Sequence, residues 1–274
     1  MTLKLITDHE VKALLPHTFR YSVAILQYRN VENSRVGSGT LVQIGTHFFV
    51  ATAAHNLTLY NDKCLFIGCT KERSYEQPPF KRRRPQPNEP EPDIDVGYIE
   101  ISPDHAKAIN EKEFLPLKRI KPFVHSWKYR VFLNGFPSEY VPKDLAQKNI
   151  FNLSAIGYLT ETINPKDGSY DAKVESRDIF IDYDEIGVLV DKQSNFKMPQ
   201  PYGISGGGLW ALPMTSQGNL WSPQDTMLIG IERSWIETKR IALCTQIQHW
   251  LKLIADDYSD LTRCINDHLN LFLE

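Results

Sequence analysis

Short β-like runs recur along most of this chain, and no sustained helical period separates them before residue 245. They fall at 39–44, 47–52, 63–68, 96–101, 130–133, 153–159, 178–183, 227–231 and 240–244, divided by turn-rich segments. Ahead of them, residues 19–28 alternate, with Tyr21, Val23 and Ile25 on one face and Arg20, Ser22 and Ala24 on the other. Many short strands without alternating helices point to an all-β barrel or sandwich. A chain of 274 residues is long enough for one large domain or two small ones, each with its own core.

Two helical segments frame the strands. Thr7 and Glu10 form a capping-box pattern, followed by Val11, Leu14 and Leu15 at helical spacing, and Pro16 is expected to stop this first helix. From residue 245 onward Ile247, Leu251, Ile254, Tyr258, Leu261, Ile265 and Phe272 follow three- and four-residue steps. One unbroken helix over 245–272 would be about 42 Å long, more than one barrel can cover. The polar run 256–260 is therefore expected to split it, with Ser259 or Asp260 capping the second piece. The stripe of this amphipathic tail is expected either on the chain's own barrel or on a regulatory protein partner.

Composition removes several classes of function. Lys plus Arg number 31 against 33 for Asp plus Glu, a net charge of −2, which gives no electrostatic footprint for nucleic acid. No apolar run approaches a membrane span, and the N-terminus lacks a secretory h-region, so no membrane partner and a cytoplasmic location are expected. Four cysteines, Cys64, Cys69, Cys244 and Cys264, make neither a disulfide framework nor a zinc spacing and read as reduced thiols. Residues 76–92 carry six prolines and the basic run 81–84, which excludes a helix or central strand and reads as an extended surface loop.

The residues able to do chemistry lie in three places. Gly203-Ile-Ser205-Gly-Gly-Gly208 surrounds a serine with glycines that let backbone amides converge on one point. A serine hydroxyl needs a base and an oxyanion site before it is a useful nucleophile. The base is sought in His55, where an apolar strand runs through Ala53 and Ala54 and ends on an imidazole. The other seven histidines, His9, His17, His47, His105, His125, His249 and His268, have no comparable setting. Asp95 opens the apolar run Val96-Gly-Tyr-Ile-Glu-Ile101 and is suited to accept the imidazole N–H. Asp93, two residues earlier on the same side of an extended chain, is its rival, and Asp95 is preferred because the strand begins directly after it.

Thr52-Ala-Ala-His55, Asp95-Val-Gly-Tyr-Ile and Gly203-Ile-Ser-Gly-Gly207 resemble the histidine, aspartate and serine motifs of trypsin-like serine proteases, in the family's order. Spacings of 40 residues from His55 to Asp95 and 110 from Asp95 to Ser205 suit a triad supplied by two barrels. Gly37-Ser-Gly39, Leu228-Ile-Gly-Ile231 and residues 245–254 resemble further landmarks, so the likeness spans about 18–255. It implies a chymotrypsin-like all-β fold of two six-stranded antiparallel β-barrels with a short N-terminal helix and an amphipathic C-terminal helix. The expected division is helix 1–17, first barrel 18–122 with His55 and Asp95, second barrel 123–244 with Ser205, and helical tail 245–274. The resemblance is to intracellular bacterial or phage-type members.

The resemblance implies a serine endopeptidase acting on polypeptide through an acyl-enzyme, without cofactor or metal. Ser205 is its nucleophile, His55 the general base, Asp95 the orienting acid, and the Gly203 and Ser205 N–H groups the oxyanion hole. Ile204 stands where secreted members carry the Asp that receives a new N-terminus, so that ion-pair activation is excluded and partner gating of the loop stays open. Asn56 replaces the family's cysteine after the histidine. Pro199 falls at the pocket base, where no acid pairs with a substrate cation. Ile231, Glu232, Arg233, Ser234 and Trp235 follow along the cleft strand. Trp235 is placed to narrow the pocket and Glu232 to charge it, unless Arg233 neutralises that glutamate or the two form an ordinary surface pair. The alternatives are a catalytically silent, protease-like peptide-binding module and an esterase of the α/β-hydrolase type.

Overall fold

In the computed structural model, the short runs assemble into two sheets. The structure describes residues 8–27, 35–57, 65–68, 82–83, 85, 94–109, 112–123, 129–140, 155–164, 177–183, 186–188, 195–197, 199–213 and 222–272. The first sheet contains β1 (Ser22–Gln27), β2 (Arg35–Ile44), β3 (His47–Thr52), β4 (Leu65–Gly68), β5 (Arg82–Arg83), β6 (Gly97–Ile101) and β7 (Leu115–Pro116). Its order is β4-β1-β2-β3-β6-β5, with β7 added to β2. The second contains β8 (Arg130–Gly135), β9 (Ile156–Glu161), β10 (Asp178–Asp182), β13 (Gly208–Ala211), β14 (Met227–Ile236) and β15 (Ile241–Gln246), ordered β10-β15-β14-β13-β8-β9. Its two ends meet at a Thr162–Ile181 bridge, where Ile163 N–H also donates to Phe180 O at 2.9 Å, so the sheet curls back on itself. Between β10 and β13, β11 (Ile186–Val188) and β12 (Asn195–Lys197) form a separate hairpin.

The chain is thus mostly β with two antiparallel sheets, as expected, but the strand inventory differs. The first sheet has seven strands rather than six, and β7 pairs with β2 in parallel through Val42 and Leu115. β13 carries no period-2 signal because all four of its residues are buried. β14 runs on to Ile236 with a bulge between Glu232 and Ser234, which places Glu232, Arg233, Ser234 and Trp235 on the strand itself. Of residues 76–92, only Arg82, Arg83 and Pro85 are described, and the arginines form an edge strand on β6, a position open to a proline-rich segment.

α1 (Asp8–Phe19) continues through Pro16, contrary to the expected stop. So near the end a proline forfeits little of the hydrogen-bond ladder, and Thr18 Oγ1 donates to Leu14 O at 3.0 Å. Burial of Leu14 and a bidentate Arg130–Glu10 pair at 2.9 and 2.7 Å fasten this helix to the second sheet. Thr7 of the capping box lies outside the described residues. A short α2 (Pro103–Ala108), capped by Ser102, follows β6.

The tail is split as its length required, into α3 (Ile247–Asp257) and α4 (Ser259–Asn270). Tyr258, not Ser259 or Asp260, holds the N-cap position of α4. Asp260 instead meets His47 Nε2 at 3.0 Å, while His47 Nδ1 meets Glu100 at 3.1 Å and Tyr258 O–H donates to Glu100 at 2.7 Å. The apolar stripe, Trp250, Leu251, Ile254, Leu261 and Ile265, is buried in one core with Phe49 and Tyr98 of the first sheet and Phe132 and Trp210 of the second. The chain therefore covers this face itself. No helix among the described residues is long and apolar enough to cross a membrane.

Trp250 is wholly buried, and its indole N–H donates to Gly97 O at 3.1 Å, two residues beyond Asp95. Trp250→Ala is expected to cost about 3–5 kcal/mol in chemical denaturation.

Candidate active site

β3 ends at Thr52, and the buried Ala53 and Ala54 lead into a one-turn 3-10 helix, Ala54–Leu57, that carries His55. β6 pairs antiparallel with β3, Thr52 opposite Gly97, which brings Asp95 alongside His55. His55 Nδ1 lies 2.7 Å from Asp95 Oδ2, and the His55 backbone N–H donates to Asp95 Oδ1 at 2.9 Å. One carboxylate therefore holds both the ring and the backbone beneath it. Asp93, the rival acid, lies outside the described residues.

Burial disfavours the His55 imidazolium, but the Asp95 hydrogen bond and charge, aided by Glu232, outweigh it and hold the pKa above the ordinary 6.5. Burial likewise pushes Asp95 up, and its bonds to His55 and the imidazolium charge reverse this, leaving its carboxyl below the usual carboxylate range. The imidazole remains 43% exposed against 22% for Asp95, so the ring is presented to solvent and the acid sits behind it.

Ser205 lies in the turn between Pro201 and Gly206. Its carbonyl accepts from Ser38 N–H of β2 at 2.7 Å and from Asn56 Nδ2 at 2.7 Å. The Ser205 loop of the second sheet is thus tied to the residue beside His55. Ser205 Oγ donates to Arg233 O at 3.5 Å, a long contact. Gly206 has φ +91°, and a Cβ there would stand 1.9 Å from Ser38 O, so only glycine permits this approach.

Gly203, at φ +92°, turns the chain ahead of the serine. Ser38 Oγ donates to Gly203 O at 2.8 Å and accepts Phe136 N–H at 2.8 Å. Ile204 N–H is taken by Pro201 O at 3.0 Å and Gly206 N–H by Glu232 O at 2.7 Å. The Gly203 and Ser205 amides make no hydrogen bond among the described residues. Ser38, Asn56 and Thr52, whose hydroxyl bonds Ser38 O at 2.7 Å, hold the backbone of this loop, a role that motif reading did not assign. The only sequence signal for them was their place inside or beside the glycine and histidine motifs.

Ile204 is fully buried in a core with Leu133, Ile179, Leu209 and Ile229. The buried side chain anchors this turn in the core of the second sheet. Ile204→Ala is expected to cost about 2–5 kcal/mol in denaturant unfolding.

The expected pocket residues occupy varied positions. Pro199 is buried, with its carbonyl accepting Tyr183 O–H at 3.0 Å, and Ile231 is core. Ser234 and Trp235 are half-buried, the indole standing 6.3 Å from the Tyr183 ring and 6.2 Å from the exposed ring of Tyr202. Glu232 and Arg233 do not form the ordinary surface pair. The Arg233 guanidinium forks onto Asp178 at 3.0 and 2.7 Å, and Glu232 is buried rather than on the surface.

No known family of sequences and no curated protein matches the chain. Among solved structures, the scabies mite inactivated protease paralogue S-I1 is 12% identical over 88% of this chain and 96% of that chain, with a TM-score of 0.50. The tobacco vein mottling virus protease is 12% identical over 90% of this chain and 82% of that one, with a TM-score of 0.45. A protease of M. tuberculosis in its active form is 11% identical over 90% and 85%, with a TM-score of 0.46. The first likeness establishes a shared fold, which is that of the chymotrypsin-like proteins.

Proposed function

We propose that this protein is a serine endopeptidase that cleaves polypeptides through His55, Asp95 and Ser205. The observation that carries this reading is the two-point grip of Asp95 on His55, at 2.7 and 2.9 Å, beside a serine whose carbonyl is tied to Asn56. In the reaction, Ser205 Oγ bonds to the scissile carbonyl carbon while its proton passes to His55 Nε2. The carbonyl electron pair moves onto an oxygen held by the Gly203 and Ser205 N–H groups, donors worth about 3–4 kcal/mol each in other serine proteases. Collapse breaks the C–N bond, and His55 returns the proton to the leaving amine. Water then repeats the sequence on the acyl-enzyme and frees the acid.

Pro199, Ile231, Glu232, Arg233, Ser234 and Trp235 would form the substrate site, and an extended peptide can add as a strand on the stretch of β14 that runs beyond its pairing with β13 at Ile231. The chemistry needs neither cofactor nor metal. Burial of Ile204 favours a loop formed without a partner. An α/β-hydrolase esterase requires a parallel sheet and a helix directly after the serine, whereas β13 follows here in an antiparallel sheet.

The test is incubation with an unfolded protein mixture and sequencing of new N-termini. Cleavage that stops after fluorophosphonate treatment is the expected result. Peptide binding without cleavage would instead assign the silent peptide-binding module.

A further inference from the structure

Glu232 is only 1% exposed, and both of its backbone groups are taken by the nucleophile loop. Its carbonyl accepts Gly206 N–H at 2.7 Å, and its N–H donates to Gly207 O at 2.9 Å. The adjacent cation is committed elsewhere, since Arg233 pairs bidentately with Asp178. One carboxyl oxygen of Glu232, Oε2, has no hydrogen-bond partner among the described residues. A buried carboxyl left unsatisfied is a cost that an aliphatic side chain would not incur, so its place beside the nucleophile calls for a use.

The groups that face it are few. Ser205 acts on it from the adjoining loop, His55 and Asp95 from the side of the first sheet, Arg233 from its own strand, and Cys244 from β15, with Asp178 behind Arg233. Burial pushes the Glu232 carboxyl up to about 8, against the pull of the Ser205 hydroxyl and of the His55 and Arg233 charges. Burial drives the Cys244 thiol well above its ordinary value, and the Glu232 charge adds to this, so the thiol stays neutral while Glu232 titrates.

We propose that Glu232 is a positioning residue that makes the hydrogen bonding of the nucleophile depend on pH. As a neutral acid it leaves the Ser205 hydroxyl to donate to His55. As a carboxylate it accepts that hydrogen itself, in a charge-assisted bond stronger than one to a neutral imidazole, and turns the nucleophile away. The inference rests on Ser205 being the nucleophile, and its test separates the two claims.

The measurement is the second-order rate of inactivation by an alkyl fluorophosphonate from about pH 6 to about pH 10. The intact protein is expected to show a rising limb from His55 and a falling limb centred near the Glu232 value of about 8. Beyond it the rate should drop about tenfold per pH unit, as for loss of one proton. Glu232→Gln, which cannot ionise, is expected to keep the rising limb and lose the falling one. Glu232→Asp, which keeps a carboxyl but draws it back from Ser205, is expected to move the midpoint and serves if the first variant does not fold. A rate that stays flat above about pH 8, or a falling limb unmoved in either variant, overturns the role of Glu232 alone. Absence of inactivation at every pH overturns this role and the serine nucleophile together.

Discussion

Ser205→Ala is expected to lower kcat on a cleaved peptide by about 10⁶-fold, the scale seen when a serine protease loses its nucleophile. The size follows from the covalent route. Without Oγ no acyl-enzyme forms, and what remains is the polarising effect of the Gly203 and Ser205 amides on a bound carbonyl. The fold should tolerate the change, because the hydroxyl reaches Arg233 O only at 3.5 Å and its pull on Glu232 is not what holds the loop, whose bonds are made by the backbone carbonyl of Ser205. Stability is expected to move by no more than about 0.5 kcal/mol, the range of substitutions that break no buried contact. Kinetics and thermal unfolding on the same sample check both statements, and a large loss of stability would mean that the serine is structural.

Asp95→Asn should be the second most damaging change, lowering kcat by about 10⁴-fold. An amide in place of the carboxylate offers the ring an N–H where it needs an acceptor, which favours the tautomer that cannot take the Ser205 proton. The pH dependence supplies an independent mark. His55 acts as a base only when neutral, so activity falls as pH falls through its pKa, which Asp95 keeps above 6.5. Removing the carboxylate charge removes that upward pull, and the acid limb of kcat/KM should move to lower pH. A lower rate with an unmoved limb would show that Asp95 does not act on the ring.

The two halves of the site were legible in the sequence to different degrees. His55 and Asp95 sit at the ends of β3 and β6, strands whose apolar runs and limits could be read directly, and their pairing follows from the register of those strands. The paired tail helices were equally plain, since Trp250, Ile254, Leu261 and Ile265 repeat at helical spacing and all are buried. β13 escaped because a strand buried on both faces loses its alternation. α1 was cut short at Pro16 because a local rule ignored the packing of Leu14.

What sequence alone could not supply was the long-range choice of partners. Arg233 had a carboxylate beside it in Glu232, yet it pairs with Asp178, 55 positions away, which becomes its neighbour only once β10, β15 and β14 lie side by side. Ser38 and Asn56 were visible as parts of motifs, but their hold on Gly203 O and Ser205 O depends on the two sheets meeting.

A single mass spectrum of the labelled protein tests the central claim most directly. After reaction with a fluorophosphonate and digestion, one phosphonyl adduct is expected on the peptide that carries Ser205, with none in Ser205→Ala. An adduct on a different residue, or none on the folded intact chain, would contradict the assignment of a nucleophile held between His55 and the Gly203 loop.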